Sequence, residues 1–65
     1  MRILVNGAWH EVQAVQLDAA LGELGFAGRT VSTAVNGAFV ACGARERTAL
    51  REGDRVEVLA PMQGG

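Results

Sequence analysis

Two Asn-Gly dipeptides, Asn6-Gly7 in "RILVNGAWHEVQ" and Asn36-Gly37 in "TVSTAVNGAFVA", constrain this chain more than any other feature. Each is flanked by alternating or β-branched apolar residues. A type I′ turn needs positive φ at both central positions, which Asn and Gly supply at least steric cost. Each dipeptide therefore predicts a two-residue β-hairpin. In the first, Ile3 and Val5 share a face opposite Arg2, Leu4 and Asn6; on the returning strand His10 and Val12 lie opposite Trp9, Glu11 and Gln13. In the second, Val31, Thr33 and Val35 form one face of the strand entering the turn.

Between the hairpins the period changes. Leu17, Leu21 and Leu24, with Ala20 beside them, recur at helical spacing and mark one apolar stripe. Gly25 followed by Phe26 predicts a Schellman stop. The start is weaker: Gln16 stands where Ser, Thr or Asp would cap, and Gly22 costs about 1 kcal/mol relative to alanine. Such a helix depends on packing more than on propensity. After the second hairpin, "CGARERTAL" is polar, with one short helical turn at most and Leu50 as its inward anchor. Glu52-Gly53-Asp54 is a turn, and "RVEVLA" is a last strand with Val56 and Val58 inward. Pro61 lacks an N–H, so it ends the ladder and directs the tail outward.

The order is β-β-α-β-β-(turn)-β. This is α+β, one sheet of about five strands with one helix across it, and β-grasp is the natural arrangement at this size. It would place the first and last strands side by side and parallel in the centre, with the C-terminus at one edge of the sheet. Residues 1–60 form the domain and 61–65 a flexible tail.

Composition bounds the function. At 65 residues and 49% hydrophobic, the chain can bury one small core. A net charge of −1 argues against nucleic acid as a partner. Six arginines and no lysine exclude Schiff-base and P-loop chemistry within this chain and leave no side-chain amine for modifier chains to grow on. Cys42 has no disulfide partner, and neither it nor the lone His10 has zinc-ligand spacing, so no metal is expected. "MRILVNGAWH" reads neither as a signal peptide nor as a membrane span, and a cytoplasmic location is expected. No nucleophile stands with an oriented base, so the chain reads as a substrate of enzymes and not as an enzyme.

"MRILVNG", "AVNGAFV" and "EGDRVEVLAPMQGG", in this order across residues 1–65, make the chain resemble the thiamine-biosynthesis sulfur carriers (ThiS), a ubiquitin-like β-grasp family. It departs from that pattern at Ala41-Cys42, where family members usually carry a Pro-Arg-like pair, and in its weak helix cap. The resemblance implies a carrier cycle. A ThiF-like adenylating enzyme would spend ATP to activate the Gly65 carboxylate, and a cysteine desulfurase or other sulfur donor would lead to a thiocarboxylate. Thiazole synthase would then take the sulfur. The resemblance implies no cofactor bound by the carrier itself.

The tail suits such chemistry. Residues 61–65 (Pro61, Met62, Gln63, Gly64 and Gly65), fully extended, reach roughly 17 Å, enough to enter an active-site channel while the body stays outside. Two terminal glycines remove every side chain near the reacting carbon and accept whatever φ/ψ an enzyme imposes. Ordering the tail costs about 1–2 kcal/mol per residue, so the body must supply docking energy. Leu4 and Leu59 are apolar residues on the polar sides of their strands and should be neighbours if those strands pair. With Trp9 and Phe39 they form a candidate docking patch; the alternative is scattered surface apolar residues.

Two competing readings stand beside the thiazole carrier. One is a molybdopterin-synthase small subunit, with the same fold and ending. The other is a non-covalent interaction module with an inert tail. Cys42 as a sulfur relay is weighed against an ordinary packed or partly exposed cysteine. Arg45 and Arg47, with Glu46, read as a solvated segment that could meet an acidic rim on a partner.

Overall fold

A computed structural model describes residues 1–60. Both hairpins form as the sequence predicts. β1 (Arg2–Val5) returns as antiparallel β2 (Ala8–Glu11), with Val5 opposite Ala8, and β3 (Ser32–Val35) returns as β4 (Ala38–Val40), with Val35 opposite Ala38. The turn residues have φ of 49° and 84° at Asn6-Gly7 and 50° and 84° at Asn36-Gly37, the left-handed conformation of a type I′ turn.

β5 (Arg55–Leu59) runs between the hairpins, parallel to β1 and antiparallel to β3, giving the sheet order β2-β1-β5-β3-β4. β5 is thus the central strand. The chain leaves the sheet from the end of its middle strand, not from a lateral edge.

The period-2 pattern decides what is buried. Ile3, Val5, Val56, Val58 and Thr33 turn inward and join Leu17, Ala20 and Leu21 of α1 (Leu17–Glu23), closed by Val12 and Leu50. The helix end matches the Schellman expectation. Gly25 sits at φ 90°, its N–H donates to the Gly22 carbonyl, and the Phe26 N–H donates to the Leu21 carbonyl. The weak start has a tertiary remedy. Gln16 gives no side-chain cap, but Gln16 bridges Ala49, the Leu17 N–H donates to the Thr48 carbonyl and the Leu50 N–H donates to the Val15 carbonyl. The expected short helical turn is a 3₁₀ helix over Cys42–Arg47.

Candidate functional site

The geometry around the end of β5 is what any tail chemistry would depend on. Leu59 is the last strand residue; Pro61, Met62, Gln63, Gly64 and Gly65 lie outside the described residues. Leu59 lies opposite Ser32 of β3, and its side chain is 65% exposed on the face away from α1. One strand further, Ala34 pairs with Phe39, which is 73% exposed. Leu59 and Phe39 line one open depression with Ser32, Thr33, Ala34 and Glu57. Two large apolar side chains, Leu59 on β5 and Phe39 two strands away on β4, therefore line one depression with the small residue Ala34 between them, beginning at the tail's root.

The other half of the expected patch needs correcting. Leu4 and Leu59 are not neighbours: the parallel register sets Leu4 beside Arg55, four residues before Leu59. Parallel strands begin side by side only where the register lets them, and here β1 turns away after pairing Val5 with Val56. Leu4 is half-buried and does border a second depression that extends to Leu59, with Arg55 and Glu57 between them. Trp9 pairs with Leu4 from β2, and the Arg2 guanidinium lies 5.2 Å from its ring centroid. The outer face thus carries two apolar clusters, Trp9–Leu4 and Phe39–Leu59, separated by the charged residues of β5.

Arg45 also differs from the sequence reading. It is no solvated side chain: its Nε donates to Thr33 Oγ1 at 3.0 Å and its Nη2 to the Val31 carbonyl at 2.7 Å. Arg47 is exposed, 4.0 Å from Glu46. Cys42 is exposed and borders a depression with Phe26, Arg29 and Arg45. Among the described residues no group of three or more His, Cys, Asp or Glu is placed to hold a metal ion, and no helix is long and apolar enough to cross a membrane.

At the N-terminus, the Met1 ammonium donates to Glu11 Oε2 and to the Val12 carbonyl, both at 2.8 Å. The Glu11 hydrogen bond chiefly raises its pKa above the ordinary α-amino value, against desolvation, with the charges of Glu11, Glu52 and Glu23 adding to the rise.

The sequence matches the family model of the ThiS family over residues 3–65. The chain belongs to the ThiS family. Among solved structures, it is similar to the crystal structure of a thiamine biosynthesis protein (ThiS) from Geobacter metallireducens, with 30% identity, full coverage of both chains and a TM-score of 0.83. It is also similar to the solution structure of a thiamine biosynthesis protein from the same organism, with 30% identity and a TM-score of 0.78, covering all of this chain and 88% of that one. No curated protein matches the sequence. The ThiS neighbours carry the fold assignment, and the five-stranded mixed sheet with one short helix is the ubiquitin-like arrangement expected from the sequence.

Proposed function

We propose that this chain is a sulfur carrier for the thiazole moiety of thiamine, acting as a protein co-substrate and not as an enzyme. The family match, which runs through residue 65, is the observation that carries this reading. The chemistry begins at the Gly65 carboxylate, which is ionised at neutral pH and a poor electrophile. Its oxygen attacks the α-phosphorus of ATP in an adenylating partner, and pyrophosphate leaves. A sulfur nucleophile then forms a C–S bond as the C–O bond to AMP breaks. Sulfide gives the thiocarboxylate directly, whereas a persulfide gives an acyl disulfide whose S–S bond a thiol reduces, becoming a disulfide itself. Thiazole synthase consumes the thiocarboxylate. A cysteine desulfurase or another donor supplies the sulfur.

Gly64, Gln63, Met62 and Pro61 thread the carboxylate into each active site, and Phe39 and Leu59 supply docking energy. Full burial of such a side chain contributes about 1.5–3 kcal/mol, enough to offset ordering of one or two tail residues. Trp9 and Leu4 form the outlying part of the docking face.

The test is incubation with an adenylating enzyme of this pathway, ATP and a sulfur source, followed by fragment mass spectrometry. Replacing oxygen by sulfur nearly matches the oxidation of Met1 or Met62 in mass, so the change must be placed on Gly65 and trapped by an alkylating reagent. Unmodified Gly65, with an enzyme active on another carrier, would favour the binding module with an inert tail. Transfer to a molybdopterin acceptor in place of thiazole synthase would reassign the pathway.

A further inference from the structure

The first hairpin turn does a second job. β1 covers β5 as far as Val56, where the Asn6 N–H donates to the Val56 carbonyl at 3.0 Å. In a continuing parallel ladder, the next β5 groups on this side, the Val58 N–H and C=O, would meet the backbone C=O of position 6 and the N–H of position 8. The chain has already turned back into β2 at Asn6-Gly7, so neither is in place. The Asn6 side chain stands in for both: its Oδ1 accepts the Val58 N–H at 2.8 Å, and its Nδ2 donates to the Val58 carbonyl at 2.9 Å. A primary amide is a peptide group in miniature, and here it extends the ladder by one step.

Asn36 makes related contacts at the opposite end of β5. Its Oδ1 accepts the Arg55 N–H at 2.9 Å and its Nδ2 donates to Asp54 Oδ1 at 3.0 Å. The two residues share a turn type, a positive φ and a target strand, and differ in which end they hold. Only Asn6 holds the end from which the tail departs.

We propose that Asn6 is a positioning residue for tail delivery, an inference that rests on the carrier reading above. By pairing Val58 on the side that β1 has vacated, it fixes Leu59 and Ala60 relative to the sheet. The docking cluster and the tail's root then reach a partner in one relative geometry. Without it, β5 beyond Val56 is held by β3 alone, and the root must be ordered at each docking event. Each residue ordered on binding weakens it roughly five- to thirty-fold.

The test compares Asn6→Gly with Asn36→Gly, since glycine keeps the positive φ of either turn and removes only the side-chain bonds. With an adenylating enzyme that accepts the wild-type chain, pyrophosphate release should show KM for the Asn6→Gly carrier raised about tenfold with kcat unchanged. Asn36→Gly should lower the melting temperature comparably and leave KM where it was. Asn6→Asp, which keeps the acceptor for the Val58 N–H, should recover part of the KM and serves if the glycine variant does not fold. Amide exchange should quicken at Val58 in Asn6→Gly and not in Asn36→Gly. Equal KM changes in the two glycine variants, or none in either, overturn the positioning role. Failure of the wild-type chain to be adenylated overturns the carrier reading and this role with it.

Discussion

Thr33→Val tests whether the polar node beneath the 3₁₀ helix holds the fold together. Thr33 is 2% exposed; its hydroxyl donates to the Val40 carbonyl at 2.8 Å and accepts from Arg45 Nε at 3.0 Å. Valine keeps the shape and removes both bonds. The neutral bond is worth about 1 kcal/mol, and the charge-assisted one about 1.5 kcal/mol, the low end of its range because half-buried Arg45 can turn toward water. The added methyl group returns about 0.8 kcal/mol of burial. The net cost is about 2 kcal/mol, a large share of the roughly 3–10 kcal/mol expected for a domain this size. It corresponds to a fall of about 8–16 °C in melting temperature. Urea and thermal unfolding followed by circular dichroism measure it, and a double-mutant cycle with Arg45→Met isolates the Arg45–Thr33 bond. A loss under about 0.5 kcal/mol, or full additivity in the cycle, would refute the node and return Arg45 to the solvated role its sequence context suggests.

Leu59→Ser and Phe39→Ser should each raise KM for the carrier with the adenylating enzyme about tenfold, because each removes up to roughly 1.5–3 kcal/mol of burial on docking. Both side chains are mostly exposed in the free chain, so its melting temperature should not change; unaltered KM values would remove this cluster from the docking face. The Met1 ammonium has a pKa raised by Glu11, so its contribution to stability is complete below the ordinary α-amino value and is lost as the pH rises through the folded value. Urea midpoints should therefore fall more steeply above pH ~8 in the wild type than in Glu11→Gln. Parallel curves for the two would show that the pair does not couple to folding.

Much of the fold was legible because its signals are local. The Asn-Gly turns and the Gly25-Phe26 stop depend on backbone conformations that only certain residues adopt, and the leucine stripe on helical spacing, so they read directly from the chain. Alternation likewise placed Val56, Val58, Ile3 and Val5 inward. Register was not legible. Alternation shows which face Leu4 and Leu59 occupy, but not how far β1 runs along β5, and the four-residue offset splits the expected patch in two. The partners of Arg45 were hidden for a related reason: Thr33 lies on β3 and Val31 just before it, brought near only when the chain folds back through the 3₁₀ helix after the second hairpin.

These misses have a common origin in the shortness of the elements. The strands are three to five residues long and the helix seven, so much of the backbone lies near an element's end, where ladder partners run out. A chain of this length has few residues with which to extend them, and polar side chains complete the pairing instead. Asn6 continues β1 along Val58, Asn36 anchors Arg55, and Arg45 donates to the Val31 carbonyl. Both oxygens of Glu23 accept backbone N–H groups, from Gln13 and Ala14. Among the described residues no buried side-chain nitrogen or oxygen is left without a partner, as such substitution requires. Pattern reading assigns polar residues of this kind to the solvated surface, where replacement is normally close to neutral. Here each acts as a piece of backbone, and its loss should cost what a ladder bond costs.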